Sequence, residues 1–200
     1  MVAVLHQFLR EATKSAHREL DHHPLMAPLV RDGLDRAHYG NALAALYGVY
    51  DPLEAQLYDL IQQLGLDFAH AARFRLPALK ADLTVLARSP ITTVIAFPPA
   101  TDVLQLVGML YTLEGSAMGG LAIARGIAGQ RNSASCDALP TRFFSGDGEL
   151  ASERWQAFWK FADAKCRPND FEVAASAAVE LFAKIKQQLD AAQQMLHGAD

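Results

Sequence analysis

The chain has 200 residues, of which 51% are hydrophobic and 20% charged, and its formal net charge is −4. This length predicts one domain over residues 1–200, and the apolar fraction allows a large core, which excludes an intrinsically disordered protein. The balance of charge shows no basic excess, so neither nucleic acid nor an anionic membrane surface is an expected partner. No apolar stretch reaches the ~18 uninterrupted residues of a membrane-spanning helix.

The N-terminus and the cysteines indicate where the protein works. The first residues lack the basic start, apolar centre and small-residue cleavage site of a signal peptide, so we expect a cytoplasmic protein. The two cysteines, Cys136 and Cys166, form no CxxC motif and are expected to be free thiols.

The first half of the chain shows helical periodicity. Apolar residues follow each other at steps of three and four from position 4 to position 20, and Pro24 limits that first helix. Asp35 is a predicted N-cap for a second helix that reaches residue 64, where Gly65 ends it. Pro52 lies inside this second helix and is expected to kink it.

The second half continues the same pattern without strands or repeats. A third helix is predicted over residues 77–88, and Thr101 is the predicted N-cap of a very apolar fourth helix that runs to about residue 128. A polar connection over 129–148 follows. Ser152 begins a helix with two tryptophans, and Asp170 caps a long final helix that stops at Gly198. The sequence therefore predicts an all-α domain of six to eight helices.

Glycines are concentrated in the fourth helix, where each costs roughly 0.5–1 kcal/mol relative to alanine. Gly115 and Gly119 are four residues apart and share a face, and Gly120 adjoins it. Close packing between helices is the commoner explanation for such a cluster. The alternative is a backbone that approaches a flat ligand without intervening side chains.

Among seven histidines, His17 has the most suggestive neighbours. No pair of histidines forms an HxxxH or HExxH motif, and no carboxylate pattern indicates a di-iron site. Arg10 lies nearly two turns before His17 on the same helix face, and Asp21 at i+4 can hold the imidazole nitrogen that a metal does not use. A lone histidine on an amphipathic helix is more often a surface residue than a ligand, so both interpretations stay open.

Three separated segments together resemble the haem oxygenase family, particularly its bacterial members. ATKSAHRELDHHPLM is similar to the proximal helix of the family, LEGSAMGG to its glycine-rich distal helix, and HYGNALAALYGVYDPLEAQL to its second helix. The resemblance covers most of the chain from residue 5 to about residue 160. It implies a single-domain helical bundle with haem held between the proximal and distal helices.

The resemblance also implies roles for particular residues. His17 corresponds to the axial ligand of the haem iron, and Asp21 to the acidic partner of its imidazole. The other implied haem contacts are Arg10, Thr13, Met26, Gly120 and Lys160, of which Arg10 and Lys160 would meet the propionates. The implied distal groups are Tyr50, Gly115, Ser116 and Gly119. Ser116 departs from the animal enzymes, which carry an aspartate at this position to hold a water.

The activity implied by the resemblance is the O₂-dependent cleavage of haem to biliverdin, CO and Fe²⁺. Haem would be both cofactor and substrate, and the electrons would come from an external donor such as a ferredoxin or flavodoxin reductase or an ascorbate-like reductant, because the chain has no nucleotide-binding glycine loop. A photoreceptor that uses biliverdin is a further implied partner. A non-catalytic haem carrier and an unrelated thiaminase-like helical enzyme are the alternatives.

Overall fold

Seven α-helices and four short 3₁₀ turns make up the fold in the computed structural model, which describes residues 2–92, 94–130, 138–146 and 148–198. No strand occurs in these ranges, as the sequence predicts. The helices are α1 (Val2–Asp21), α2 (Arg36–Gln63), α3 (Leu76–Val85), α4 (Val103–Gln130), α5 (Arg142–Ser145), α6 (Ala151–Lys165) and α7 (Phe171–His197).

The ends of the first two helices follow from local signals. α1 ends at Asp21, ahead of Pro24. The Asp35 carboxylate caps α2 by accepting a 2.8 Å hydrogen bond from the His38 N–H, and Gly65 has a φ of +59° just beyond the other end. This left-handed conformation is the one that glycine adopts without strain. Pro52 lies within α2, as predicted.

Two predicted details are wrong, and a third is correct in position only. The cap of α4 is Asp102, whose carboxylate accepts from the N–H groups of residues 104 and 105, whereas Thr101 bonds to Gln105. The polar connection before α6 contains the single-turn helix α5, which is too short to have a periodic pattern. Asp170 is the N-cap residue of α7, as predicted, but its carboxylate accepts from the Arg167 N–H and makes no hydrogen bond to the first turn of α7.

α7 forms the centre of the bundle, with contacts to α1, α4 and α2. α1 runs parallel to it: the ring centroids of Phe8 and Phe171 are 5.7 Å apart, and those of His17 and Phe182 are 5.8 Å apart. α4 also packs on α6 and α5, and α1 also packs on α6. α1 and α4 therefore share two neighbouring helices but make no extensive contact with each other.

α4 is long and apolar enough to cross a membrane by length and composition alone, since residues Val103–Gly129 include a window with a mean hydropathy of 1.3. Half of that window is buried inside the fold, where α4 packs against α7, α6, α5 and α2. This packing accounts for the apolar residues of α4 as those of a core helix.

Candidate functional site

His17 presents a free imidazole nitrogen from α1. Its side chain is 62% exposed, and its Nδ1 lies 2.9 Å from Oδ2 of Asp21. Because a carboxylate accepts hydrogen bonds, a neutral His17 carries its proton on Nδ1 and keeps the lone pair of Nε2 free. The hydrogen bond expected from the i, i+4 spacing is therefore present, and the ring is further supported by Phe182 of α7.

The other predicted residues on this side are spread over three elements. Arg10 on α1 and Lys160 on α6 are exposed, and neither forms an ion pair with the described residues. Met26 is half-buried between α1 and the following 3₁₀ turn. Thr13 is only 2% exposed, and its hydroxyl donates to the Leu9 carbonyl at 2.7 Å. The Thr13 hydroxyl thus bonds its own helix, and a haem contact for this residue stays a prediction.

The glycines of α4 divide into two classes according to what a side chain would meet. A Cβ atom at Gly108 would lie 2.0 Å from the Ala174 carbonyl oxygen of α7, and one at Gly120 would lie 3.1 Å from the Phe144 carbonyl oxygen. At Gly119 a Cβ atom would meet nothing within 4 Å, and at Gly115 only the edge of Trp155 at 3.8 Å. Packing therefore explains Gly108 and Gly120. Among the described residues, Gly119 faces open space, whereas a Cβ atom at Gly115 would be in ordinary contact with Trp155.

An aromatic cluster links α1, α6 and α4 beside Gly115. The ring centroid of His6 on α1 is 4.8 Å from that of Trp159 and 6.2 Å from that of Trp155. Tyr111, one turn before Gly115, lies 6.1 Å from Trp155 and 5.9 Å from Trp159. This cluster fixes the spacing of α1 and α4 on one side of the site.

A buried hydrogen-bond network lies behind Ser116. The hydroxyl groups of Tyr50 and Ser116 are 2.7 Å apart, which brings together the two predicted distal residues that carry polar side chains. Arg75, which precedes α3, donates from Nη1 to Tyr50 at 3.0 Å and to Ser116 at 3.2 Å, and from Nη2 to the Phe143 carbonyl at 2.7 Å. The Arg75 residue is 7% exposed.

The sequence analysis missed Arg75 and its neighbour Glu54. The Glu54 carboxylate accepts from the backbone N–H groups of Arg75 at 2.6 Å and Leu76 at 3.2 Å, so it holds the start of α3. Burial raises the Glu54 pKa, and these two hydrogen bonds oppose the rise. Glu54 lies one turn after Tyr50, within the apolar stripe of α2. A carboxylate in such a stripe predicts a buried group that needs hydrogen-bond donors, and this pattern could have identified Glu54 from the sequence. Arg75 has no comparable local signal.

A second buried carboxylate positions α5. Oδ2 of Asp82 accepts from the Phe143 N–H at 2.8 Å, and burial raises the Asp82 pKa. The Phe143 carbonyl is the group that accepts from Arg75. Asp82 thus binds the N–H of Phe143 and Arg75 binds its carbonyl, and these two hydrogen bonds fix the position of α5. Phe143 and its neighbours in α5 in turn enclose the Arg75 guanidinium.

Two surface grooves and the thiol of Cys166 lie away from the residues of the candidate site. Two open surface grooves of about 310 and 340 Å³ are lined by other residues, around Pro98 and Met109 and around Tyr47 and Lys80. Cys166 is a buried free thiol whose pKa burial raises to about 11, so it is not a thiolate at neutral pH. Cys136 lies outside the described residues.

Comparisons with known proteins agree with one another. Residues 3–190 match the sequence model of the haem oxygenase family. A haem oxygenase of Xanthomonas campestris pv. campestris (strain 8004) is 35% identical over 102 residues, which are 50% of this chain and 59% of that protein. The match thus spans somewhat more than half the length of this relative.

Two solved structures share the fold. The NO- and CO-bound haem oxygenase of Neisseria meningitidis superimposes with a TM-score of 0.69 at 18% identity, covering 94% of this chain and 91% of that one. The haem oxygenase of Leptospira interrogans gives a TM-score of 0.64 at 14% identity, covering 92% and 98%. At such identities the two structures support the all-helical fold.

Proposed function

Because the chain belongs to the haem oxygenase family, we propose that it binds haem between α1 and α4 and degrades it with O₂ to biliverdin, CO and Fe²⁺. The observation that carries the proposal is the pairing of two features on helices that share α6 and α7 as neighbours. One is His17, whose Nδ1 is held by Asp21 and whose Nε2 is free. The other is a glycine face of α4 that opens to space.

The residues of α1 fit the iron side of a haem. A neutral imidazole with its second nitrogen on a carboxylate is the usual form of an axial histidine, since the outer hydrogen bond fixes the tautomer and the ring orientation. His17 and Asp21 have this arrangement, with Nδ1 of the ring 2.9 Å from the carboxylate. Arg10 and Lys160 are exposed cations on α1 and α6 that would meet the propionates.

The residues of α4 fit the opposite face. Gly119 leaves room for a flat macrocycle close to the helix backbone, and Gly115, one turn earlier, has only the edge of Trp155 within 4 Å of its Cβ position. Ser116, which is exposed, brings a hydroxyl to the same part of α4, and Tyr50 stands behind it. Ser116 stands at the position where the animal enzymes carry an aspartate.

Bound haem would supply the iron that activates O₂ and the porphyrin that is opened, and an external donor would supply the electrons. The contribution of the chain is to hold haem by His17, to leave space at the glycine face, and to provide hydroxyl donors through Ser116. A reductase that reaches the exposed haem edge, and a photoreceptor that receives biliverdin, are the partners that we propose.

A spectroscopic titration tests the function. Hemin added to the protein should produce a Soret band that saturates at one equivalent, and ascorbate in air should convert this band to the broad absorption of biliverdin with release of CO. A Soret band that persists under reduction would instead indicate a haem carrier. The absence of hemin binding would contradict the proposal and favour an unrelated helical enzyme.

A further inference from the structure

Residues 68–101 are positively charged within a chain whose net charge is −4. They include four arginines and lysines but a single carboxylate, that of Asp82, which is buried. Two of the four cations are held by hydrogen bonds inside the fold. The other two, Lys80 and Arg88, are exposed, so the charge that this stretch presents at the surface is positive.

Lys80 and Arg88 line a surface groove of about 340 Å³, which is formed by α2, the second half of α3 and the residues that follow α3. No carboxylate is among the described residues that line this groove. Three of its other lining residues bear hydroxyl groups and three are apolar. The hydroxyl groups belong to Tyr47, Thr84 and Ser89, and the apolar residues are Leu83, Ala87 and Pro90. The groove thus combines positive charge with an apolar lining.

The fold orients both cations without neutralising them. The Arg88 guanidinium donates to Oδ1 of Asn41, which is a neutral amide, and the Cγ of Arg88 lies 3.5 Å from the Cβ position of Gly40. The Lys80 Nζ lies 5.7 Å from the ring centroid of Tyr47. Within the described part of the chain, neither cation has a carboxylate within 4.0 Å. Both charges can therefore pair with an anion from outside the chain.

The turn at the end of α3 directs Arg88 back toward α2. The Leu83 carbonyl accepts from the Arg88 N–H at 3.0 Å, and the Thr84 carbonyl accepts from the Ala87 N–H at 3.1 Å, which is the pattern of a Schellman motif. Ala87 occupies the left-handed position of this motif with a φ of +52°, where glycine is the usual residue. Ala87 also lines the groove, where a glycine would contribute no side chain. The strained backbone thus coincides with a wall of the groove.

The groove is separate from the proposed haem site. α3 packs against α2 and α5 and makes no extensive contact with α1 or α4. A molecule in the groove therefore does not compete with haem for the space between α1 and α4.

The charge and lining of the groove favour an acidic protein segment over nucleic acid or a membrane. A nucleic acid backbone or an anionic lipid surface is bound by an extended array of cations. The lining of this groove holds two cations, in a chain whose net charge is −4. An apolar lining beside two cations suits an apolar side chain that is flanked by carboxylates.

We propose that the groove between α2 and α3 is a docking site for an acidic segment of a partner protein. Carboxylates of the segment pair with Lys80 and Arg88, and an apolar side chain between those carboxylates packs on Leu83 and Pro90. The inference does not depend on the proposed function, since the groove is formed without α1 and α4.

A fluorescein-labelled peptide of glutamates with one central leucine serves as the probe, and fluorescence anisotropy measures its binding to the full chain. We expect a Kd below about 100 μM at low ionic strength, which is typical of a weak docking contact. Added salt should weaken binding, because the paired charges are exposed. The glutamine analogue of the peptide should not bind. Serine in place of the central leucine should weaken binding at least about threefold, since the apolar contact is lost.

Charge reversal locates the binding site. The double variant Lys80→Glu/Arg88→Glu should weaken peptide binding at least about tenfold, because each attraction becomes a repulsion. Lys165→Glu/Arg167→Glu is the matched control, since it reverses two exposed cations beyond the groove and changes the net charge equally. Its affinity for the peptide should stay within about twofold of wild type. Far-UV circular dichroism establishes that each variant is folded.

Several outcomes would overturn the inference. One is a wild-type protein that does not bind the acidic peptide, and another is an equal loss of affinity in the two double variants. Tighter binding of single-stranded oligothymidylate or of phosphatidylserine vesicles, abolished in Lys80→Glu/Arg88→Glu, would assign the groove to a different class of partner. Self-association that depends on the same two cations would assign it to a second copy of this chain.

Two further comparisons keep the test decisive. Should Lys80→Glu/Arg88→Glu fail to fold, the single variants Lys80→Gln and Arg88→Gln replace it, and wild-type peptide affinity in both overturns the inference. Hemin titration of the same proteins tests the proposed function separately. We expect Lys80→Glu/Arg88→Glu to bind hemin as wild type does, and a loss of hemin binding in this variant would contradict the separation of the two sites.

Discussion

His17 and Asp21 form a pair that the sequence already indicates, because a spacing of four residues places two side chains on one helix face. The structure adds that the pair is exposed and that Phe182 lies against the ring. No sequence pattern predicts the contact with Phe182, which comes from a helix more than 150 residues away. Arg75 is a similar case, since its partners at positions 50, 116 and 143 meet only in the folded chain.

Replacement of His17 tests its role as the iron ligand. An axial imidazole shifts the Soret band of bound hemin relative to that of free hemin. His17→Ala should abolish this shift, and imidazole added to the solution should restore part of it. His38→Ala is the matched control, because His38 is also exposed and lies 3.3 Å from a carboxylate, that of Asp35. Absorption spectra of the hemin complexes compare the two variants. A wild-type spectrum for His17→Ala would assign the ligand to another histidine.

At the scale of elements, most helix boundaries follow from single residues such as Asp35 and Gly65, while the arrangement around α5 does not. A helix of one turn has no periodicity to detect, and its position depends on Asp82 and Arg75 from distant segments. The glycines of α4 show the same limit. Their spacing indicates a special face, but only the packing distinguishes Gly108, whose Cβ position is filled by α7, from Gly119, whose Cβ position has no described residue within 4 Å.

Alanine substitutions along α4 should have opposite effects on the stability of the haem-free protein. Gly108→Ala places a methyl group 2.0 Å from a backbone oxygen of α7, so the two helices must separate. Overpacking of this kind costs ~1–3 kcal/mol or more. Gly119→Ala meets no obstacle and should stabilise the helix by roughly 0.5–1 kcal/mol. Urea unfolding of both variants measures the difference, and a destabilised Gly119→Ala would contradict the open face.

A larger side chain at Gly119 should affect haem rather than the fold. Gly119→Val projects branched carbons into the space that we assign to the macrocycle, and we expect hemin affinity to fall more than about tenfold, on the scale of ~1–3 kcal/mol for overpacking. Gly126→Val is the matched control, because Gly126 is also exposed on α4 with nothing within 4 Å of its Cβ position. Equal hemin affinities in the two variants would remove Gly119 from the site.

At the scale of the molecule, His23 joins the end of α1 to α7. Its side chain is 1% exposed; Nε2 lies 3.2 Å from Asp190 Oδ1, and Nδ1 accepts from the Leu25 N–H at 3.1 Å. Since Nδ1 accepts, the bonded form of His23 is neutral. Burial, aided by Lys186, lowers the His23 pKa in spite of Asp190. Protonation would therefore break the bond to Leu25.

The free energy of unfolding should depend on His23 below neutral pH. A histidine whose pKa is lowered in the folded state stabilises the fold above its unfolded pKa of about 6.5, and this contribution is lost as the pH falls, by up to ~1.4 kcal/mol per pH unit. The advantage of wild type over His23→Gln should thus shrink between pH 7 and pH 5. Urea titrations at each pH measure it.

Two comparisons isolate this effect. His22→Gln changes the adjacent, exposed histidine and should keep the pH dependence of wild type. Burial and the neighbouring Arg73 lower the pKa of His70 to about 4, so folded His70 stays neutral between pH 7 and pH 5 while the unfolded chain takes up its proton. This adds the same pH dependence to all three proteins and cancels in the differences. A difference between wild type and His23→Gln that is independent of pH would show that His23 does not titrate in this way.

The parallel pairing of α1 with α7 has a consequence for biosynthesis. α1 emerges from the ribosome early, but the helix against which it packs is made more than a hundred residues later, and His23 and Asp190 are 167 positions apart. The support of His17 by Phe182 is therefore absent throughout most of translation. If haem is bound as we propose, its capture has to wait until α7 has been made, so stalled nascent chains that end after α6 should bind no hemin, whereas chains that include α7 outside the ribosome should bind it.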